Sequence, residues 1–228
     1  MGRILFTPRR ATAPVVYPVK YGLLYNFYAV SSAKFITAAN AHVPSSAEFD
    51  ALITACGGQI PAGDSMRDIN PLYWIEHSYT NLFGFNGRGT GDRRKLSGIF
   101  ENTKSVLCTW LTETSGYNAY HSQIGHGSAA TNYLDSHNYG YSLRLVVDSP
   151  IEINGANAVY VGNDGKRYRC KLIGGVWWLA DNLAETKFRN GDWIHGYDGG
   201  IYKPISNTEW AALTTAGCCA YNNDWNNV

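Results

Sequence analysis

Hydrophobic positions along the chain recur in short runs separated by polar and glycine-rich stretches. In "PSSAEFDALITACGG", Phe49, Leu52, Ile53 and Cys56 share one face at helical spacing. Ser45 stands where an N-cap belongs, Glu48 three residues on is its capping-box partner, and Gly57 supplies the stop. The pattern predicts a short amphipathic helix. "PISNTEWAALTTAGCC" repeats the signature with Ser206, Glu209, Trp210, Leu213 and Gly217. "GKRYRCKLIGGVWWLADNL" follows the other period: Tyr168, Cys170 and Leu172 alternate with Arg and Lys, Gly174-Gly175 offers the positive φ of a tight turn, and Val176 to Leu179 returns as the second arm of a hairpin. "YGLLYNFYAV" and "YGYSLRLVVD" read as further strands. The class is therefore α+β, short antiparallel strands with two short amphipathic helices.

The chain divides into an extended arm, residues 1–18, and a single domain, 19–228, made of segments 19–148 and 159–228 joined by a connector, 149–158. Pro8, Pro14 and Pro18 keep the arm extended. Its basic and apolar residues, Arg3, Ile4, Leu5, Phe6, Arg9 and Arg10, with Val15 and Val16 behind them, are the expected anchors to a partner.

Composition narrows the function. Aromatic residues make up 14% and charged residues 16% of the chain, with 24 glycines, a profile of strands and tight turns. A net charge of +1 argues against a nucleic-acid partner. The N-terminal stretch lacks the apolar core of a signal peptide, and no apolar run approaches the ~20 residues that span a bilayer, so assembly in a host cytoplasm without membrane insertion is expected. Five cysteines without C-x-x-C spacing read as small buried hydrophobes, not as a disulfide framework or zinc site.

"YGLLYNFYAV", "HVPSSAEFDAL", "GFNGRGTGDRRKLSGIF", "TWLTET" and "YGYSLRLV" resemble, in that order, blocks of the C-terminal two-thirds of the Fibrobacter succinogenes major paralogous domain, whose fold is similar to C-type lectins. "DGKRYRCKLIGGVWWLADNLAETKFRNGD", "NTEWAALTT" and "CCAYNNDW" resemble that family's first third. The order is circularly permuted, since the part that opens the family pattern here comes last. The resemblance implies that Val228 lies near Tyr21. Closure within one chain is the expectation, while closure between chains would make an obligate ring, a trimeric homo-oligomer.

Catalytic and metal chemistry find little footing. Glu113, Asp135, His121, His126 and His137 are close in sequence but match no helical metal spacing. The calcium triplets of lectins, Glu-Pro-Asn and Trp-Asn-Asp, do not occur, nor does the cysteine pair of the related formylglycine-generating enzymes. "GFNGRGTGDRR" lacks the Gly-Lys-Ser/Thr ending of a phosphate cradle and reads as a structural loop. Of Trp177, Trp178 and Trp193, alternation sends at least one of the first two into the core. No metal, cofactor or enzymatic activity is expected.

The informative segment is Ser115 to Tyr141. Between Lys104 and Arg144 there is no Lys or Arg, and the residues are Tyr, Asn, Ser, His and Gly, the composition of a paratope. In the resembling fold this region precedes the last strand and binds ligands. The expected ligand contacts are Tyr117, Asn118, Tyr120, His121, Gln123, His126, Asn132, Tyr133, Asp135, His137, Asn138 and Tyr139. The reading is a non-enzymatic phage virion protein, a fibre, tail or capsid decoration docked through its arm, that attaches to a host surface glycan or protein. The alternative is a bacterial cell-surface adhesin.

Overall fold

A computed structural model describes residues 20–76, 79–125 and 127–228. In chain order the elements are β1 (Leu24–Tyr25), α1 (Phe27–Val30), β2 (Ala41–His42), α2 (Ser46–Ala55), α3 (Gln59–Ser65), β3 (Asp92–Arg93), β4 (Phe100–Glu101), β5 (Val106–Ser115), β6 (Asn118–Gly125), β7 (Ser128–Ser136), β8 (Val146–Val147), β9 (Ile151–Asn154), β10 (Asn157–Val161), β11 (Arg167–Ile173), β12 (Val176–Leu179), β13 (Tyr197–Asp198), β14 (Ile201–Tyr202), α4 (Asn207–Ala212) and β15 (Cys218–Cys219). Mostly antiparallel strands with a few short helices make this an α+β molecule, and no described helix is long and apolar enough to cross a membrane.

The local signals act as written in two places. Ser45 accepts from the Glu48 N–H while the Glu48 carboxylate accepts from the Ser45 N–H, a complete capping box, and Phe49, Leu52 and Ile53 turn inward from α2. Between β11 and β12, Gly174 and Gly175 both adopt positive φ, 59° and 83°, the two-residue turn that twists with its strands.

Elsewhere tertiary partners override the pattern. "YGLLYNFYAV" is a strand only at Leu24–Tyr25. Asn26 then caps α1 by accepting from the Ala29 N–H, turning the aromatic run into one helical turn. "YGYSLRLVVD" is a strand only at Val146–Val147, its earlier residues making isolated bridges such as Tyr141 to Tyr25. The second helix stops at Ala212, short of Gly217, which is buried in a bridge to His195. The segment read as a connector is itself a hairpin, β9 and the start of β10. Leu172, expected inside with Tyr168 and Cys170, is 40% exposed, and the next residue, Ile173, is the one that is buried, in the cluster with Phe49 and Trp178.

The six-stranded sheet runs β2-β8-β12-β11-β10-β9, and beside it stands the meander β5-β6-β7. Successive residues serve opposite cores: Trp178 and Val146 join Phe49, Phe85, Leu107 and Ile124, whereas Leu179 and Val147 join Tyr25, Trp110, Leu143 and Tyr160. Burying one such aromatic fully is worth roughly 1.5–3 kcal/mol. Trp177 is only half-buried.

Between the layers lies a buried polar knot. Arg144 donates to Asn182 Oδ1 (2.6 Å) and to the carbonyls of Phe85 (2.8 Å), Leu179 (2.9 Å) and Asn86 (2.7 Å). Asp181 takes Arg169 and stands 3.6 Å from Arg88. Burial pushes the Arg144 guanidinium down to about 9, against the pull of Asp181. The arginines of the glycine-rich loop turn inward to the fold: Arg88 meets Asp68 at 3.0 Å, and Arg93 donates to Gly98 and Ile205 between the rings of Phe100 and Trp210.

The two chain segments expected to meet do so within one chain. β1 pairs antiparallel with β15, Leu24 opposite Cys219, and the Tyr21 N–H donates to the Asn227 carbonyl at 3.1 Å. All five cysteines are free and buried.

Candidate recognition surface

The segment Ser115 to Tyr141 is built on the meander. Ser115 pairs with Asn118 across a two-residue turn whose first residue, Gly116, takes φ 61°, the position where a hairpin of this kind needs glycine. Tyr117 is thereby lifted to the tip and is 92% exposed. Farther along, the β6–β7 register slips between His121 and Gln123, and Asn132 absorbs the bulge at φ 67°, a conformation Asn tolerates.

Beyond the bulge, His121 and Tyr133 are cross-strand partners, as are Ala119 and Asp135. The His121 ring, 1% exposed, stacks on Tyr133 (centroids 5.5 Å, 29°) and lies against Tyr141 (4.5 Å) and the edge of Trp110 (6.1 Å). Its Nε2 stands 3.0 Å from the Gln123 amide nitrogen, so Nε2 accepts and the proton sits on Nδ1, facing Asp135 at 3.7 Å. Burial pushes this histidine down to about 4, with Asp135 pulling the other way, so at neutral pH the two groups are not an ion pair. The Tyr141 hydroxyl donates to Asp135 Oδ2 at 2.6 Å, and burial raises its pKa. Tyr139 stacks on Tyr141 (5.6 Å), and Arg94, held by Asp92 (3.1 Å) and Glu101 (2.6 Å), lies over Tyr139.

The result is a row of rings, Tyr133, His121, Tyr141 and Tyr139, with a carboxylate along it and a guanidinium at one end. Tyr133 is 44% exposed, and Leu134 beside it is exposed too. Tyr133, at the open end of the row, can stack against a ligand, with the half-buried Tyr139 and Asp135 beside it and the buried rings of His121 and Tyr141 as support. A neutral, buried imidazole holds it but is not open to a substrate.

The expected contacts therefore separate. Tyr117, Asn132 and Tyr133 are exposed, with Asp135 and Tyr139 half-buried beside them. His121 is the buried member of the row, between Tyr133 and Tyr141, and Gln123 steadies it. Tyr120 packs against the core under α2. Asn118 accepts from Ser136, which in turn accepts from Lys95. His137 and Asn138 are structural. The His137 ring packs on Phe27 (4.9 Å) and Tyr28 (5.4 Å), while Asn138 donates to Leu213 and accepts from Trp210, bracing α4. His126 lies outside the described residues, as do Arg3, Ile4, Leu5, Phe6, Arg9 and Arg10.

Glu113 caps α2 through the Ser46 N–H at 2.7 Å, and among the described residues no group of three or more His, Cys, Asp or Glu side chains gathers to hold a metal. Sequence reasoning missed Arg94, Lys95 and Tyr141. The first two come from a loop some forty residues upstream, and nothing local in a segment without Lys or Arg points to them. Tyr141 stood at the segment's edge and read as strand.

No family model, curated protein or solved structure matches the chain.

Proposed function

We propose that the protein is a non-catalytic recognition module of the C-type lectin-like kind with permuted segment order, carried on a phage particle and attaching it to a host surface through the β5–β7 meander. The observation that carries this reading is the tyrosine row, fixed on paired strands by the buried neutral His121 and leading to the exposed Tyr133, with Tyr117 at the tip. Rigid tyrosines give large contact area for little lost side-chain entropy.

The chemistry of the remaining groups fits binding better than turnover. Burial pushes the thiols of Cys56 and Cys170 up to about 12 and that of Cys219 up to about 11, so none supplies a thiolate at neutral pH. Five free thiols also suit assembly in a reducing cytoplasm. The arm's arginines and apolar residues are the docking end.

The test is retention of fluorescently labelled protein on a panel of intact bacterial cells. Tyr117→Ala/Tyr133→Ala should lose about thirtyfold or more in affinity, as two aromatic contacts of about 1 kcal/mol each would imply. Its melting temperature should stay within a degree or two. No retention of the wild type on any cell, or equal retention of the variant, would contradict the reading.

A further inference from the structure

A cleft of about 500 Å³ opens between the outer strands of the six-stranded sheet and the 81–86 loop. Lys171 of β11 stands opposite Asn157 of β10, and Arg169 opposite Val159. Cross-strand partners share a face, so these four side chains form one wall. Asn81, Gly84 and Asn86 form the other. All three take positive φ, 47°, 69° and 52°, and the two asparagines lock the turn: the Asn81 amide donates to Asn86 Oδ1 (2.6 Å) while its Oδ1 accepts from the Asn86 N–H (3.0 Å). Gly84 leaves room for the Lys171 stem, since a Cβ there would stand 2.7 Å from Lys171 Cε. The glycine-rich loop thus supplies a wall, and the cations come from the sheet.

The fold leaves the donors of this cleft unused. Asp181 takes the side edge of the Arg169 guanidinium, Nε at 2.9 Å and Nη2 at 2.5 Å. The end edge, Nη1 with the second Nη2 proton, has no partner among the described residues. Lys171 makes no ion pair or hydrogen bond among them, and Asn86, whose Oδ1 is taken, keeps its Nδ2 protons. The carboxylate in the lining, Glu152, stands 2.6 Å from Arg167 Nη2 and is balanced there. Behind the wall, Arg88, Arg144 and Arg169 all bear on Asp181, and Asp68 pairs with Arg88. Three guanidiniums against two carboxylates, with the Lys171 ammonium added, leave positive charge in excess around the cleft.

A free guanidinium edge and an ammonium on one strand, with an amide donor across the gap, suit a tetrahedral oxyanion: two oxygens to the fork and a third to the point charge. The cavity is larger than a bare phosphate needs and lies in the range of small-molecule sites.

We propose that this cleft binds a small organic phosphate, its oxygens taken by the end edge of Arg169, by Lys171 and by the Asn86 amide, with the organic part over Asn157 and Val159. It shares no residue with the tyrosine row and stands independently of it.

The test is a titration at low ionic strength, followed by amide proton–nitrogen NMR, with glycerol 3-phosphate, inorganic phosphate and succinate. The wild type should bind glycerol 3-phosphate saturably and more tightly than succinate, with shifts at Asn157, Val159 and Lys171. Lys171→Gln should bind about tenfold more weakly or worse, the loss of one charge-assisted hydrogen bond. Its thermal unfolding should match the wild type, because the ammonium is tied to nothing in the fold. Lys34→Gln removes the same charge from the exposed pair with Asp192 and should bind as wild type. Absence of saturable binding by either phosphate, succinate binding as tightly, undiminished binding by Lys171→Gln, or an equal loss in Lys34→Gln would each overturn the proposal. Retention on phosphatidylglycerol vesicles that glycerol 3-phosphate fails to displace would put the phosphate contact on a lipid surface and overturn it too.

Discussion

At His121, burial holds the imidazole down at about 4 although Asp135 pulls upward, and the unfolded chain should protonate near the ordinary value of ~6.5. Below that value the unfolded state binds the extra proton first, so stability is present above ~6.5 and is lost as pH falls toward 4. The loss attributable to His121 should reach roughly 2–3 kcal/mol by pH 4.5. Urea unfolding at pH 7 and pH 4.5 should show a smaller drop for His121→Phe than for the wild type, and parallel curves would contradict this. His42 behaves oppositely. Burial alone would lower it, but the hydrogen bonds its ring donates to the Glu48 and Asp148 carboxylates overcome that and raise it, so its contribution is full below the unfolded value and vanishes as pH rises through the folded one. Legibility at this scale followed exposure. Tyr117 was picked out by composition, and the structure sets it at an exposed tip beside Gly116, whereas the places of His137 and Asn138 depend on Phe27, Tyr28 and Leu213, residues far away in sequence.

Among the elements, α2 is the piece whose every local signal agrees with its tertiary setting. The Glu48 carboxylate closes the capping box with Ser45 and also meets His42 Nε2 at 2.8 Å, tying β2 to the helix N-terminus. Ser45→Ala should cost about 1 kcal/mol in denaturant unfolding. A double-mutant cycle of Glu48→Gln and His42→Gln should show coupling at pH 5.5 that is gone at pH 8.5; coupling independent of pH would mean the contact does not depend on a charged imidazole. The capping box and the Gly174-Gly175 turn could be read from sequence because each is settled within four residues. "YGLLYNFYAV" could not, since its alternation is real but the Asn26 side chain and the distant partner β15 decide where the strand ends. Gly217 looked like a helix stop for the same reason that it fits a bridge: both places want no side chain.

In the whole molecule, the polar knot around Arg144 joins the 81–88 loop, the end of the meander and the β11–β12 hairpin. Arg144→Met would take the guanidinium away from the buried carbonyls of Phe85 and Leu179, the partly buried carbonyl of Asn86 and Asn182 Oδ1, at about 1–3 kcal/mol each, a large share of a typical stability of 5–15 kcal/mol. The variant should be unfolded by circular dichroism; a native-like melt would show that the knot is dispensable. The α+β class was legible from the repeated short patterns. The pairing of β1 with β15 was legible only through the resemblance, because no local rule links residues almost two hundred positions apart. The claim on which the functional reading rests is that the meander face touches the target, and hydroxyl-radical footprinting of the protein free and bound to envelope fragments of a retained cell tests it most directly. Tyr117 and Tyr133 should be labelled in the free protein and protected in the bound one, with Tyr139 following. Protection confined to other tyrosines, with Tyr117 and Tyr133 labelled equally in both states, would contradict it.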